Sequence, residues 1–215
     1  EGQTNSAAYA GGTPATVQGD IDLTQGEIIN ILVGQVGNSN STHGNENGGG
    51  GGSFVVRDTG TAPLVIAGGG GGAPSHSYSS NCTRTNGDGQ LGTAGNGNDL
   101  GTLGTAGKTV TCGSTGAGGT NGSGGDSNGS HQGAAGGGLT GNGANGNTHC
   151  AQPQGGKSFT NGGEGGTGNS CYGTAYGGFG GGGGGGLGSP GGAGGYSGGG
   201  AAGQWGSYAD YGGGG

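Results

Sequence analysis

The sequence predicts a mostly irregular, β-containing fold without α-helix: a small antiparallel sheet joined to a bundle of extended rods built from glycine. Three observations predict it. Seventy-three of the 215 residues are glycine, with blocks at Gly48–Gly52, Gly68–Gly72 and Gly180–Gly186. There is no strict Gly-X-Y register and there are five prolines, which excludes a collagen triple helix. Eight Leu, five Ile, seven Val and three Phe make roughly 11% of the chain, well under the ~20% below which a side-chain core fails. Fifteen of those 23 apolar residues lie before residue 68, and there they alternate with the period of a strand.

Taken in order, Thr16-Val17-Gln18-Gly19-Asp20-Ile21-Asp22-Leu23 alternates with period two and reads as the first strand. Thr24-Gln25-Gly26-Glu27 is a turn, and Ile28-Ile29-Asn30-Ile31-Leu32-Val33 follows as a second, more buried strand. After a polar loop and the first glycine block comes Ser53-Phe54-Val55-Val56-Arg57. It turns at Asp58-Thr59-Gly60 and returns as Pro63-Leu64-Val65-Ile66-Ala67.

From Gly68 onward glycine-rich pieces alternate with polar insertions, and no helical period occurs. Glycine runs lose too much entropy for α-helix and give a sheet no side chains to pack. The polyproline-II conformation remains, three residues per turn with no internal hydrogen bonds. Buried rods of that kind must bond to their neighbours, and bare backbones approach closely enough to do so in a hexagonal bundle. Each run of seven to ten residues is then a rod ~20–30 Å long. Polar stretches such as 38–47 and 75–88 link the rods. Residues 1–215 form one glycine-rich domain, 1–67 its β-rich part and 68–215 the bundle. Glu1 is not an initiator methionine, so the chain is expected to be a processed or excised piece of a longer one.

Charged residues are 7% of the chain and the net charge is −7, so self-repulsion is weak and Asn, Ser, Thr and Gly supply the polarity. Arg57, Arg84, Lys108 and Lys157 are scattered, which disfavours nucleic acid and anionic membrane as partners. No stretch approaches the ~18 apolar residues of a membrane span. Cys82, Cys112, Cys150 and Cys171 form an even set with no CxxC spacing. Three connectivities exist; the sequential one closes loops of about 20 to 30 residues, worth ~3 kcal/mol each by chain entropy. Glycosylation sequons start at Asn40, Asn81, Asn121 and Asn128. Cysteines and sequons together point to a secreted or cell-surface glycoprotein.

The ordered string Ile31-Leu32-Val33-Gly34-Gln35-Val36-Gly37, Gly48–Gly52 with Ser53-Phe54-Val55, and Pro63-Leu64-Val65-Ile66-Ala67 with Gly68–Gly72 resembles the glycine-rich domain of the anaplastic lymphoma kinase and leukocyte tyrosine kinase receptors. Gly177-Gly178-Phe179-Gly180 running into Gly186, then Gly194-Gly195-Tyr196-Ser197-Gly198-Gly199, is similar to the later part of that domain. Related modules occur in secreted and surface proteins that carry no kinase. The resemblance implies a β-sandwich of the tumour-necrosis-factor-like kind, here partial, from which a bundle of polyglycine-II helices projects. Such domains carry a further strand before the position of Glu1-Gly2-Gln3 and another after a block like Gly212–Gly215. Those strands are expected either in a larger protein or from a neighbouring subunit by strand addition.

The motifs that carry chemistry fail one by one. Strings of the GxGxxG kind open no helix within a strand–helix–strand unit. Gly107-Lys108-Thr109 and Gly156-Lys157-Ser158 imitate the end of a P-loop, but Thr102 and Ala151 stand where its first glycine belongs. Gly95-Asn96-Gly97-Asn98-Asp99-Leu100 lacks one residue of a calcium-binding nonapeptide and occurs once. His43, His76, His131 and His149 lack ligand spacing, and Asp126, Glu164 and Asp210 are isolated acids. The sequence therefore predicts neither an enzyme nor a cofactor or metal.

The aromatic residues Tyr172, Tyr176, Phe179, Tyr196, Trp205, Tyr208 and Tyr211 cluster near the C-terminus between glycines. They cap bundle edges over flat backbone or form an interaction surface. The functional expectation is a rigid, non-catalytic extracellular scaffold that builds or decorates a filament, matrix or surface appendage by self-association. A receptor-like ectodomain with a protein ligand is the alternative, and an ice-binding protein the second alternative.

Overall fold

The computed structural model describes residues 10–39, 47–58, 62–73, 87–89, 116–127, 132–147, 152–168, 174–186, 188–205, 208–209 and 212–215. Among them the regular elements are five short strands and one 3₁₀ turn, with no α-helix. Strands β1 (Ile29–Leu32), β2 (Ser53–Arg57) and β3 (Ala62–Ala67) form an antiparallel sheet in that order. Strands β4 (Gln204–Trp205) and β5 (Tyr208–Ala209) pair separately, with Trp205 opposite Tyr208.

Local chemistry accounts for the sheet. The Glu27 N–H donates to the Thr24 carbonyl at 3.0 Å, and Gly26 takes φ 87, which a side chain would resist, so the turn into β1 closes where expected. In β2 the alternation is clean: Phe54 and Val56 are buried between less buried neighbours. The β2–β3 register shifts between Val55 and Val56, a bulge beside Pro63, which cannot donate to a ladder.

Two expectations are corrected here. Thr16–Leu23 forms no strand, and most of it is exposed. Alternation gives only the tendency to pair, and this stretch has no ladder partner among the described residues. The second strand is not more buried. Ile28, Ile31 and Val33 are each about two-thirds exposed, because β1 lies at one edge of a three-stranded sheet, and among the described residues no second layer covers it.

All three strands run directly into glycine-rich segments: β1 into 33–38, 47–52 into β2, and β3 into 68–73. Phe54, Val56 and Leu139 form a small buried cluster, with Leu32, Ile66, Phe159 and Tyr196 packed against it. The Phe54 and Phe159 rings stack with centroids 5.1 Å apart. Leu139, Phe159 and Tyr196 each follow a glycine-rich segment (132–138, 152–158, 189–195), so the sheet rests on the ends of three of them.

The glycine-rich segments are held by backbone hydrogen bonds that repeat every third residue. Gln132, Ala135 and Gly138 donate to Asn147, Ala144 and Gly141 of one neighbour. Gly133 and Gly136 donate to Ala202 and Gly199 of a second, Ala134 and Gly137 to Gly184 and Gly181 of a third. In these three series the donor advances by three as the acceptor retreats by three, whereas from 191/194 to 47/50 and from 192/195 to 134/137 donor and acceptor advance together. Segment 191–195 is bonded to six others: it donates to residues 47 and 50, 134 and 137, and 213, and accepts from 69 and 72, 183, and 199.

The spacing leaves no room for side chains at most glycines. A β-carbon on Gly136 would lie 1.8 Å from the Ala193 carbonyl oxygen, one on Gly194 2.0 Å from that of Gly180. Alanine enters where it fits, and Ala134, Ala135, Ala193, Ala201 and Ala202 are fully buried.

Candidate interaction surface

The sheet is apolar on both faces. The inward row Leu32–Phe54–Ile66 belongs to the cluster above, and the next row, Ile31–Val55–Val65, points the other way. Ile31 and Val33 are 69% and 68% exposed, and Leu23, Ile28 and Val36 are also more than half exposed. Monomers rarely leave such side chains together in solvent without a use.

The apolar strip continues past β1. The Gln35 and Asn38 N–H groups donate to the carbonyls of Phe179 and Tyr176, so segment 33–38 lies against 176–179. The Tyr176 N–H in turn donates to Asn38 Oδ1 at 2.5 Å. Three-residue spacing sets Val33 above Val36 and Tyr176 above Phe179, and Val36, Tyr176 and Phe179 are all exposed. An open cleft of about 570 Å³ runs along β1, lined by Asn30–Val33, Asp58, Phe159, Thr160, Gly162 and Phe179.

Charged groups gather at the Ile29 end of β1. The Arg57 guanidinium pairs with the Glu27 carboxylate through Nε and donates from Nη2 to the Asp22 carbonyl at 2.8 Å, tying the chain before β1 to the end of β2. The Thr24 N–H, and after it Arg57, holds the Glu27 carboxyl below its usual range. Asp58 turns at φ 48, its carbonyl accepting from Asn30 Nδ2 and its N–H donating to the Ile28 carbonyl.

The sequence-predicted residues are distributed as follows. Tyr196 is half-buried against the small cluster, whereas Tyr176 and Phe179 lie on the exposed strip. Trp205 and Tyr208 are register partners in β4 and β5. Asn121 is exposed at φ 52 in a turn where Ser123 Oγ bonds both the N–H and the carbonyl of Thr120. Tyr172 and Tyr211, all four cysteines (Cys82, Cys112, Cys150, Cys171) and Asn40, Asn81 and Asn128 lie outside the described residues. Sequence reasoning missed Ile31, Val33 and Val36 as surface residues. The available signal was that a single sheet this small buries one face of each strand, so a strand apolar on both faces must expose one.

Among the described residues no group of three His, Cys, Asp or Glu could hold a metal, and no helix is long and apolar enough to cross a membrane. Comparison with known protein families finds no matching family model, and comparison with curated proteins finds no match.

Proposed function

We propose that the chain is a non-catalytic extracellular structural module, a rigid glycosylated scaffold that builds or decorates a filament, matrix or surface appendage by association of subunits. In this reading the glycine-rich segments are polyglycine-II helices in a hexagonal bundle, and the three-stranded sheet is part of a tumour-necrosis-factor-like sandwich. The single observation that carries it is the bonding of segment 191–195 to six neighbours with a three-residue repeat. Three residues per turn is the polyproline-II value, and six neighbours is what hexagonal packing requires. A lattice of that kind is stiff because each peptide group is tied sideways, and inert because it keeps few side chains. The sheet with two apolar faces supports the sandwich reading, and the exposed strip on β1 and 33–38 supplies a surface for association.

Electron microscopy of the purified chain at rising concentration, with light scattering, tests this. Ordered filaments or defined oligomers are expected. Strictly monomeric particles at the highest concentration, together with a saturable soluble ligand, overturn it in favour of a receptor-like ectodomain. The exposed Tyr176 and Phe179 are the observation behind that second reading.

A further inference from the structure

We infer that the outer edge of β1 pairs with β1 of a second copy, antiparallel and in a register centred on Ile31, so that two sheets become one across a two-fold axis. This contact rests on the reading of the chain as a self-associating module and names where association begins.

The polarity of the edge follows from β1–β2 pairing. Asp58 N–H bonds the Ile28 carbonyl, and bonded pairs alternate in an antiparallel ladder, so Asn30 and Leu32 bond inward to Val56 and Phe54. The N–H and carbonyl groups of Ile29, Ile31 and Val33 therefore point to the outer edge, where no strand pairs with them among the described residues. Those groups are self-complementary. With Ile31 facing its own copy, Ile29 faces the partner's Val33, and every residue that offers a free donor meets one that offers a free acceptor. Two of the cross-strand pairs so formed, Ile31 with its own copy and Ile29 with the partner's Val33, are β-branched and apolar, the kind that stabilises an antiparallel ribbon, and Asn30 faces the partner's Leu32 between them. An open cleft runs along Asn30–Val33, and the contact ends before Gln35, whose N–H is taken by the Phe179 carbonyl.

The two edges of the sheet differ in protection. β3 carries Pro63 and the bulge, and segment 12–15, bonded to Gly68 and Gly71, lies in line with it. β1 has neither proline, bulge nor charge in Ile29-Asn30-Ile31-Leu32. Charge placement favours the antiparallel arrangement: Glu27, its ion-pair partner Arg57 and Asp58 leave one net negative charge at the Ile29 end, which meets the partner's uncharged Val33 end rather than a second such charge. Ile31 and Val33 on one face and Ile28 on the other are each about two-thirds exposed, so pairing of the edges covers apolar side chains on both faces. A two-fold contact closes on itself, so it makes the paired unit from which a larger assembly is built through a second surface.

Sedimentation velocity on the full chain tests the contact. The wild-type chain is expected to dimerise, and Ile31→Lys to weaken dimerisation at least tenfold. The side chain is exposed, so an unchanged thermal midpoint at a concentration where both proteins are monomeric is expected and serves as the folding check. As a second variant, Ile31→Cys under mild oxidation is expected to give a homodimer linked through position 31 by mass spectrometry, and Val65→Cys on the same face is not. Dimerisation of Ile31→Lys at wild-type strength, or linking of both cysteine variants alike, overturns the β1 contact. Filaments that survive Ile31→Lys without loss overturn this contact while leaving the scaffold reading standing. A wild-type chain that stays monomeric overturns both.

Discussion

At Gly136 the adjacent residues separate two uses of glycine. Ala134 and Ala135 are fully buried in the same segment, so methyl groups are admitted there, but a β-carbon one residue later would overlap the Ala193 carbonyl. Gly162 is the opposite case: nothing lies within 4 Å of its would-be β-carbon, and its φ of 97 is the reason for glycine. Gly136→Ala must push two backbones apart and is expected to cost about 3 kcal/mol, at the upper end of overpacking penalties. Gly162→Ala is expected to cost about 1 kcal/mol, the strain of a side chain at left-handed φ. Urea midpoints of the two variants check this, and equal losses would show that conformational freedom rather than close approach selects glycine in the segments. The sequence could not separate the two positions, because glycine looks the same whether it is chosen for a turn or for contact. Which run lies beside which is equally hidden.

The strands and the glycine segments are continuous chains in two bonding regimes, joined at the cluster of Phe54, Val56 and Leu139. The sheet side was legible: β2, β3 and the turn at 24–27 follow from alternation and from Gly26. Thr16–Leu23 was misread because alternation cannot reveal whether a partner strand is present, and β1 because a near-continuous apolar run reads as a strand buried on both faces, whereas this one lies at a sheet edge. Among the glycine-rich segments the register was hidden, and asparagine side chains help to set it. Asn142 and Asn145, three apart, accept from the N–H groups of Ser158 and Gly155, also three apart, so two side chains continue the repeat of the backbone. The two regimes should unfold separately. Phe54→Ala removes the largest buried side chain and is expected to cost 3–5 kcal/mol, a typical value for such a truncation. Hydrogen exchange is expected to show the loss at β1–β3 amides, while those of 132–138 and 191–195 keep most of their protection through bonds that do not involve the sheet. A uniform loss across both sets would mean that the cluster holds the glycine-rich segments together as well.

For the molecule as a whole, what is buried differs in kind from an ordinary domain. The buried hydrophobic residues among those described are Phe54, Val56, Leu139 and seven alanines, and most other buried positions are glycine. Unfolding therefore exposes peptide groups far more than hydrocarbon. Hydration of apolar surface raises the heat capacity by ~0.45 cal/K/mol per Å², and hydration of polar surface lowers it by ~0.26, so the two terms here nearly offset one another. The heat-capacity change on unfolding is expected to be less than about half of the usual ~12–15 cal/mol/K per residue. Urea sensitivity should not fall in proportion, because urea solvates peptide groups as well as apolar ones. Scanning calorimetry combined with urea titration separates the two quantities. A low heat-capacity increment beside an ordinary urea slope is the expected result, and an ordinary increment would mean that a hydrocarbon core of normal size is buried. The consequence of a low increment is a flat stability curve. Hydrophobic cohesion fades on cooling, but lateral backbone bonding carries little of that dependence, so a fold held this way keeps a nearly constant stability across a wide temperature range.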